Sequence, residues 1–441
     1  MGAIKKTGFS SKVGVILAAA GSAVGLGNIW KFPYVAGENG GGAFLVVYLI
    51  CVLLFGMPLL MTEFLIGKNS GKSAFSAFST ITGSKKWQWL GWLCIITTYT
   101  LMGFYFVVTG WCLNYLFEAI TGAYMGLDTT ALSAHFTSTV SNPWKMITYG
   151  VIPVLLTALV LWFDVNKGIE KLSKVLMPFL LVMMVVMAIR VSFLEGSVAG
   201  VHFLFDFDFS KITPDVIMMA AGQCFFSLSV GIGALVTYGA YMPKIQDTTS
   251  TSVQVIVLDT LVALLAGLII FPAVFSFGFN PQEGSQLVFV VLPAIFQQMS
   301  FAWLSGVLFF LLLFIAALTS TISLMEVAVA SICEASHNKL NRHQSVLMVS
   351  GITIVLVVLC VLSPSIFDLF DNLVTTILMP LGALSMSVFV GWFVSGKDKD
   401  LVPHREDHWK RWLRPFFIFS LRWIVPVLIL IILLNGLGII K

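Results

Sequence analysis

Two short stretches place helix breakers inside long apolar runs: AVGLGN at 23–28 and SLSVGIG at 227–233. Glycine costs about 1 kcal/mol relative to alanine in a helix interior. Two glycines one residue apart, beside Asn28 in the first stretch and Ser227 and Ser229 in the second, therefore predict local unwinding. In lipid, unwound backbone is tolerated only where it is buried in protein or lines a cavity. Freed carbonyls and half-helix C-termini can ligate a hard cation, which wants several oxygens, while half-helix N-termini face an anion. Close helix packing through small residues explains Gly21 and Gly25 alone. It does not explain Gly25 and Gly27 with Asn28, matched by Gly231 and Gly233 with Ser227 and Ser229. Asp259 is a further candidate, a carboxylate within VQVIVLDTLVALLAGLIIFPAVF. A charge at bilayer depth costs about 2.5–3.5 kcal/mol or more, so it is functional by default. The alternative is a neutral, protonated Asp bonded to a neighbouring helix.

The elements that must position these residues follow from composition. The chain has 441 residues, 58% hydrophobic and 10% charged, which excludes a soluble globular protein of this size. Apolar runs of about 20 residues recur along it, without the alternation a barrel needs. The expected fold class is all-α: a polytopic membrane protein, one domain over 1–441. Eleven spans are predicted, at 11–37, 42–67, 87–121, 146–163, 168–193, 213–242, 252–279, 303–335, 345–363, 366–395 and 415–438. The apolar segment 281–300 is interrupted by Pro293 and reads as a re-entrant or capping hairpin. The stretch 396–414 reads as a solvated linker. The six cysteines are scattered singly, without CxxC spacing, and read as reduced core residues. The N-terminus shows no signal-peptide cleavage pattern, and Lys6 stands where a myristoylation motif needs Ser or Thr.

Lys and Arg are biased to one side. With the N-terminus inside, that side receives Lys5, Lys6, Lys12, Lys68, Lys72, Lys85, Lys86, Lys167, Lys171, Lys174, Lys244, Lys339, Arg342 and the dense Lys397–Arg414 linker. The other side receives only Lys145, Arg190, Lys211 and Lys441, with Lys31 inside the first span. The positive-inside rule then places the N-terminus in the cytoplasm and the C-terminus outside, in a multi-pass plasma-membrane protein.

The first and sixth spans open two five-span sets, about 11–193 and 213–395, with the span at 415–438 outside both. Interrupted segments at matching places in two halves point to a transporter with inverted repeats.

The runs GSAVGLGNIWKFPYVAGENGGGAF (21–44), GQCFFSLSVGIGALVTYGAYMPK (222–244) and AALTSTISLME (316–326) resemble, in order, three signatures of the neurotransmitter:sodium symporter family. The resemblance covers nearly the whole chain and implies a LeuT-like fold of 5+5 inverted repeats. The family usually has twelve spans. This chain is expected to lack the twelfth, as some bacterial members do, and the last span is peripheral to the repeat.

The resemblance implies two sodium sites. One would use the Ala23 carbonyl, the side chains of Asn28 and Ser227, an Asp259 oxygen and a substrate carboxylate. The other would use carbonyls of Gly21, Val24 and Ala316 with the hydroxyls of Thr319 and Ser320, which otherwise bond back to their own helix. The substrate carboxylate would meet the amides of Leu26 and Gly27 and the Tyr105 hydroxyl. Its ammonium would meet carbonyls of Ala23, Phe226 and Ser227 and the Ser229 hydroxyl. Gly25 stands where amine-transporting relatives carry Asp, which argues for a substrate that brings its own carboxylate. Leu101, Tyr105, Phe226, Ile232, Ser320, Ser323 and Leu324 would surround the side chain, an uncharged and mostly apolar set. That implies a neutral hydrophobic or aromatic L-amino acid, with weak discrimination.

Chloride-dependent relatives have Asn and, one turn later, Ser where this chain has Asp259 and Ala263, while Tyr48, Gln223 and Ser227 keep the rest of that shell. Asp259 is expected to replace chloride and to take up a proton on the return step, when sodium has left. Lys31 replaces a family Arg that pairs with an Asp, here Asp371, above an aromatic lid of Phe226 and Tyr105. Lysine lacks the planar fork, so Gln223 is a less defined partner; the alternative is a Lys31 that snorkels. At the other end Lys6 and Phe9 replace family Arg and Trp, with Glu334 the expected partner of Lys6 and Tyr241 nearby. Gly168 and Pro178 frame a half-helix that either unwinds or is a static kink.

The expected function is sodium-coupled amino-acid symport by alternating access, independent of chloride. The alternative is a sodium-gated channel or a substrate-sensing membrane protein of the same fold. No acid, base or metal cluster lies in the spans, and the histidines lie in loops or at span ends, so no enzyme is expected. The expected partners are the amino acid and the bilayer, with no nucleic acid. Oligomeric state is left open.

Overall fold

A computed structural model describes residues 8–282, 286–337, 339–394 and 410–436. These residues form helices and no strand. Only a helix satisfies every backbone group of an apolar run within the run itself. Polar residues start the helices as N-caps: Ser11, Asn142, Thr213 and Asp247 each accept from a backbone amide three residues on. Asn341 and Gln344 complete a reciprocal capping box.

Among the described residues, nine continuous helices are long and apolar enough to cross a membrane: Gly42–Ser70, Lys85–Thr121, Pro143–Trp162, Lys167–Ser192, Thr248–Ser276, Ala302–Ala335, Arg342–Leu362, Pro364–Val394 and Leu413–Gly436. A tenth is the bent pair Lys12–Ala23 and Gly27–Glu38, whose axes meet at 48°. The difference from the expected eleven is the sixth segment. It consists of Pro214–Ser227 and Ala234–Ala240, neither long enough alone. The residues between them explain the interruption. Ser229, Gly231 and Gly233 have φ of 52, 91 and 80°, in the left-handed region where a right-handed helix cannot continue.

The segment 281–300 does not span. It forms a helix, Leu287–Gln298, too short to cross and buried from Leu287 to Phe296. Phe289 packs on Tyr115 of the third span and Phe296 on Phe309 of the eighth. All six cysteines are free.

The two broken segments occupy the middle of the bundle. Lys12–Ala23 packs against the fifth, seventh and eighth spans, and Ala234–Ala240 against the second. Gly67 and Gly239 let those last two backbones touch: a Cβ on Gly67 would lie 1.9 Å from the Val236 carbonyl oxygen. The third and eighth spans pack along each other as the longest helices in the fold. Buried charges hold the end of the bundle where the first span begins. Glu326 is fully buried and takes a two-pronged pair from Arg342, at 3.0 and 2.8 Å, plus the Tyr241 hydroxyl at 2.7 Å.

Candidate functional site

At the first break Val24 is extended, and the chain resumes as a wide turn from Gly27. Asn28 folds back so that its Oδ1 accepts from the Gly25 amide at 3.2 Å. Its Nδ2 lies 3.0 Å from Ser227 Oγ, 3.0 Å from the Asp259 carbonyl oxygen and 2.8 Å from Asp259 Oδ1. Tyr48 approaches Ser227 Oγ at 3.3 Å and Asp259 Oδ2 at 3.4 Å. All four residues are fully buried. The structure thus brings together Asn28, Ser227 and Asp259 from three separate spans, with Tyr48 from a fourth. A buried carboxylate must collect donors, and this one has Asn28, Ser227 and Tyr48. Asn28 therefore shows Asp259 its NH2 face, and its oxygen faces the break.

A second cluster is almost all oxygen. Ser320 Oγ lies 3.4 Å from the Gly21 carbonyl, 3.5 Å from Ser22, 3.3 Å from Val24 and 3.4 Å from Ala316. Thr319 donates to the Ala316 carbonyl at 2.9 Å. Residues Gly21, Val24, Ala316, Thr319 and Ser320 are all gathered here. One hydroxyl proton cannot satisfy four carbonyls, so the cluster is rich in unspent acceptor capacity, as a hard cation requires.

Between the breaks lies a cavity of about 20 Å³, lined by Ser22, Ala23, Gly25, Gly27, Leu101, Tyr105, Phe226, Ser229, Ser320, Leu324 and Met379. None of these side chains carries a charge. The Leu26 amide donates to the Tyr105 hydroxyl at 3.2 Å, and Ser229 donates to the Ser22 carbonyl at 2.9 Å. Gly25 is required by space: a Cβ there would meet Ser320 Oγ at 2.3 Å and the Tyr105 hydroxyl at 2.7 Å.

Two expected lining residues are elsewhere. Ser323 is held by the Tyr238 hydroxyl at 2.8 Å, one helical turn from Ser320. Ile232 is buried between two left-handed glycines, its carbonyl taking the Thr98 hydroxyl at 3.1 Å. Ser22 and Met379 line the cavity without having been expected. Met379 comes from the tenth span, where no motif marks it.

The pairing expected for Lys31 differs in detail. Lys31 and Asp371 do not approach within ion-pair distance, 4.0 Å. Lys31 Nζ sits over the Phe226 ring, 4.3 Å from its centre. A compact ammonium needs no carboxylate fork and is accommodated by the ring face. Gln223 donates to the Gly27 carbonyl at 2.6 Å and so braces the break itself. Lys6 lies outside the described residues. Glu334 accepts from the Ser73 amide at 3.1 Å and the Ser73 hydroxyl at 2.8 Å. Phe9 is buried, its amide donating to the Tyr241 carbonyl at 3.0 Å. Gly168 lies in a wide turn, Asn166–Glu170, that runs into the helix Lys171–Ser192 with Pro178 inside it. A Cβ on Gly168 would meet the Val160 carbonyl at 2.3 Å, so this glycine serves close packing against the fourth span.

Four buried carboxylates escaped the sequence reading. Glu63 accepts from the Gly231 amide at 2.7 Å and so fastens the second break to the second span. Glu170 accepts from the Ser10 amide at 2.6 Å, from the Ser10 and Ser11 hydroxyls at 2.8 Å, and pairs with Lys174 at 2.7 Å. Glu118 accepts from Asn114 at 2.9 Å and pairs with Lys145 at 2.8 Å, and Glu326 is the fourth. Glu63, Glu118 and Glu326 could have been found by the argument that singled out Asp259, an acid inside an apolar run; Glu170 could not, because Lys167, Lys171 and Lys174 stand around it.

The arrangement, a broken pair of helices with oxygen clusters and an uncharged cavity, can be compared with known proteins. The sequence profile of the sodium:neurotransmitter symporter family matches residues 6–128 and 124–440. The chain belongs to this family. The symporter is 38% identical over 451 residues to the uncharacterized sodium-dependent transporter YhdH of Bacillus subtilis, with 99% of each chain covered. It is 32% identical over 457 residues to an uncharacterized sodium-dependent transporter of Haemophilus influenzae, covering 97% of this chain and 98% of the other. Among solved structures, the crystal structure of MhsT in complex with L-phenylalanine superposes with a TM-score of 0.88 at 37% identity, covering 97% and 99%. The symporter is thus a sodium-dependent, multi-pass membrane transporter with a LeuT-like fold, and not an enzyme.

Proposed function

We propose that this chain couples the inward flow of sodium to uptake of neutral hydrophobic or aromatic L-amino acids by alternating access, without chloride. The observation that carries the reading is the uncharged cavity at the two breaks, with the Leu26 amide and Tyr105 hydroxyl side by side. Those groups can receive a substrate carboxylate. The Ser229 hydroxyl and the carbonyls of Ala23, Phe226 and Ser227 are available for an ammonium. The bound L-phenylalanine in MhsT supports the same class of substrate.

Two sodium ions fit the two clusters. The one near Ser320 has its oxygens gathered. The one near Asp259 requires the Asn28 amide to turn its oxygen toward the carboxylate, where Ser227 and the Ala23 carbonyl complete the set. Asp259 supplies a fixed negative charge there, which makes chloride unnecessary. Residues 11–193 and 213–395 form the two repeats, and 415–438 stands outside them. The Lys/Arg bias puts the end where the first span begins in the cytoplasm and the C-terminus outside the plasma membrane.

The test is uptake into proteoliposomes with a panel of amino acids as competitors, with and without sodium, in chloride and in gluconate. Leucine- and phenylalanine-like compounds are expected to compete, only with sodium, in either anion. Uptake confined to glutamate, lysine or a monoamine refutes the substrate class. Uptake that needs chloride refutes the role given to Asp259.

A further inference from the structure

The tenth span carries a feature that the proposed transport reading does not use. Its helix is interrupted by a wide turn, Leu373–Leu378, directly before Pro380. Proline has no amide proton and crowds the carbonyl four residues back, here that of Thr376. The wide turn absorbs this. The Met379 amide bonds five residues back, to the Val374 carbonyl. One extra residue in a helical turn rotates everything after it by about 100° around the axis. Met379 is the first residue after that rotation, and it is also a wall of the cavity between the breaks, only 2% exposed.

A second device fixes its depth. Gly382, one turn on, lies against the left-handed Gly231 of the sixth segment. A Cβ on Gly382 would meet the Gly231 carbonyl oxygen at 2.3 Å, and a Cβ on Gly231 would meet the Met379 carbonyl oxygen at 2.4 Å. The two backbones are therefore in contact, and no side chain can be interposed. The turn sets which way Met379 points, and the glycine pair sets how near it comes.

We propose that Met379 is a specificity-determining residue that sets the upper size of the substrate side chain. The inference rests on the reading of this cavity as an amino-acid site. The other apolar walls are Leu101, Leu324 and the Phe226 ring. Met379 is the one with an unbranched, three-torsion side chain. Such a thioether refills irregular space and contacts aromatic rings favourably. It lets one cavity close on a branched aliphatic side chain and open for an aromatic one. A rigid ring at this position removes that latitude, and a methyl group leaves the large end open.

The experiment compares competition by alanine, valine, leucine, phenylalanine and tryptophan for the wild type, Met379→Phe, Met379→Ala and Met379→Leu, in proteoliposomes. Sodium binding to each purified protein is followed separately with radioactive sodium. Met379→Phe is expected to lose tryptophan and phenylalanine about tenfold relative to valine. Met379→Ala is expected to shift about tenfold the other way, the scale a methylene or more supplies in an apolar pocket. Met379→Leu is expected to narrow the range modestly, with sodium binding retained throughout. Unchanged ratios in Met379→Ala and Met379→Phe, with normal sodium binding, overturn the inference alone. If Met379→Phe does not fold, unchanged ratios in the other two variants overturn it equally. A wild type that transports none of the panel overturns the amino-acid reading and this inference with it.

Discussion

The Ser227 hydroxyl lies 3.0 and 2.9 Å from the two carboxylate oxygens of Asp259, so the broken sixth segment is tied to the seventh span through a buried charge. Asn28 reaches the same carboxylate from the first break. Replacing Asp259 by Asn keeps the shape and removes the charge. Sodium affinity is expected to fall at least tenfold, equivalent to about 1.4 kcal/mol. In the double variant Asp259→Asn/Ala263→Ser, chloride is expected to restore part of the loss, as read by uptake in chloride against gluconate. Full activity of Asp259→Asn without chloride contradicts the assignment.

Gly25 is packed against two hydroxyls that the cavity needs. Gly25→Ala is expected to cost about 1–3 kcal/mol of stability through overpacking. Its larger effect is on function, because Ser320 and Tyr105 must both move aside. Scintillation proximity binding is expected to show no measurable affinity for a substrate that binds the wild type. Gly21→Ala, whose Cβ would meet Thr319 Cβ at 3.3 Å, serves as the milder comparison. Equal binding by both variants sinks the argument.

Glu170 pins the start of the first span to the fifth through Ser10 and Ser11. Hydrogen bonds to a charged group are worth about 1.5–3 kcal/mol each. Glu170→Gln weakens them and removes the Lys174 pair. Maleimide labelling of a cysteine placed at Ala20 is expected to rise about tenfold from the amino-terminal end. Labelling that matches the wild type counts against this anchor.

Arg342 neutralises Glu326 in the core. Arg342→Ala leaves that carboxylate buried and unpaired, at an expected cost of about 3–5 kcal/mol. Glu326→Gln with Arg342→Ala is expected to recover more than half of the loss, because no uncompensated charge remains. A thermal unfolding series of the two single variants and the double variant in detergent measures the coupling.

Lys31 Nζ sits over the Phe226 ring and beyond ion-pair distance of Asp371, which still feels its charge. Phe226→Leu is therefore expected to speed substrate dissociation more than Asp371→Asn does. A cation over a ring is worth about 0.5–2 kcal/mol. Dissociation rates that rank the other way restore the carboxylate as the partner.

The spans were readable because each apolar run must satisfy its own backbone, and the breaks because glycine and polar residues sit where a helix gains nothing from them. The oxygens gathered around Ser320 were named through the family resemblance, because residues 21–24 and 316–320 lie in runs that resemble its signatures. Ser323 was misplaced because its competitor, the Tyr238 hydroxyl, is distant in sequence and visible only once the sixth segment folds back. Met379 was invisible because its orientation depends on a turn geometry set by Pro380, not on a motif. Asn28 shows a subtler limit. Its identity said that an amide belongs there, while its neighbours decide which face of the amide meets Asp259.

Two sets of hydrogen bonds at the breaks differ in length. Glu63 to Gly231, Asn28 to Asp259 and Ser227 to Asp259 span 2.7–3.0 Å and join segments one, two, six and seven. Ser320 meets the carbonyls of the first segment only at 3.3–3.5 Å. A seam therefore runs between the first and eighth spans, and it crosses the molecule at the Ser320 oxygens. A cation seated there would act as a rivet across the seam. Its departure would leave the four joined segments held to the eighth span through the Tyr238–Ser323 and Tyr241–Glu326 hydrogen bonds, and the ion's residence time would set how long the seam stays shut.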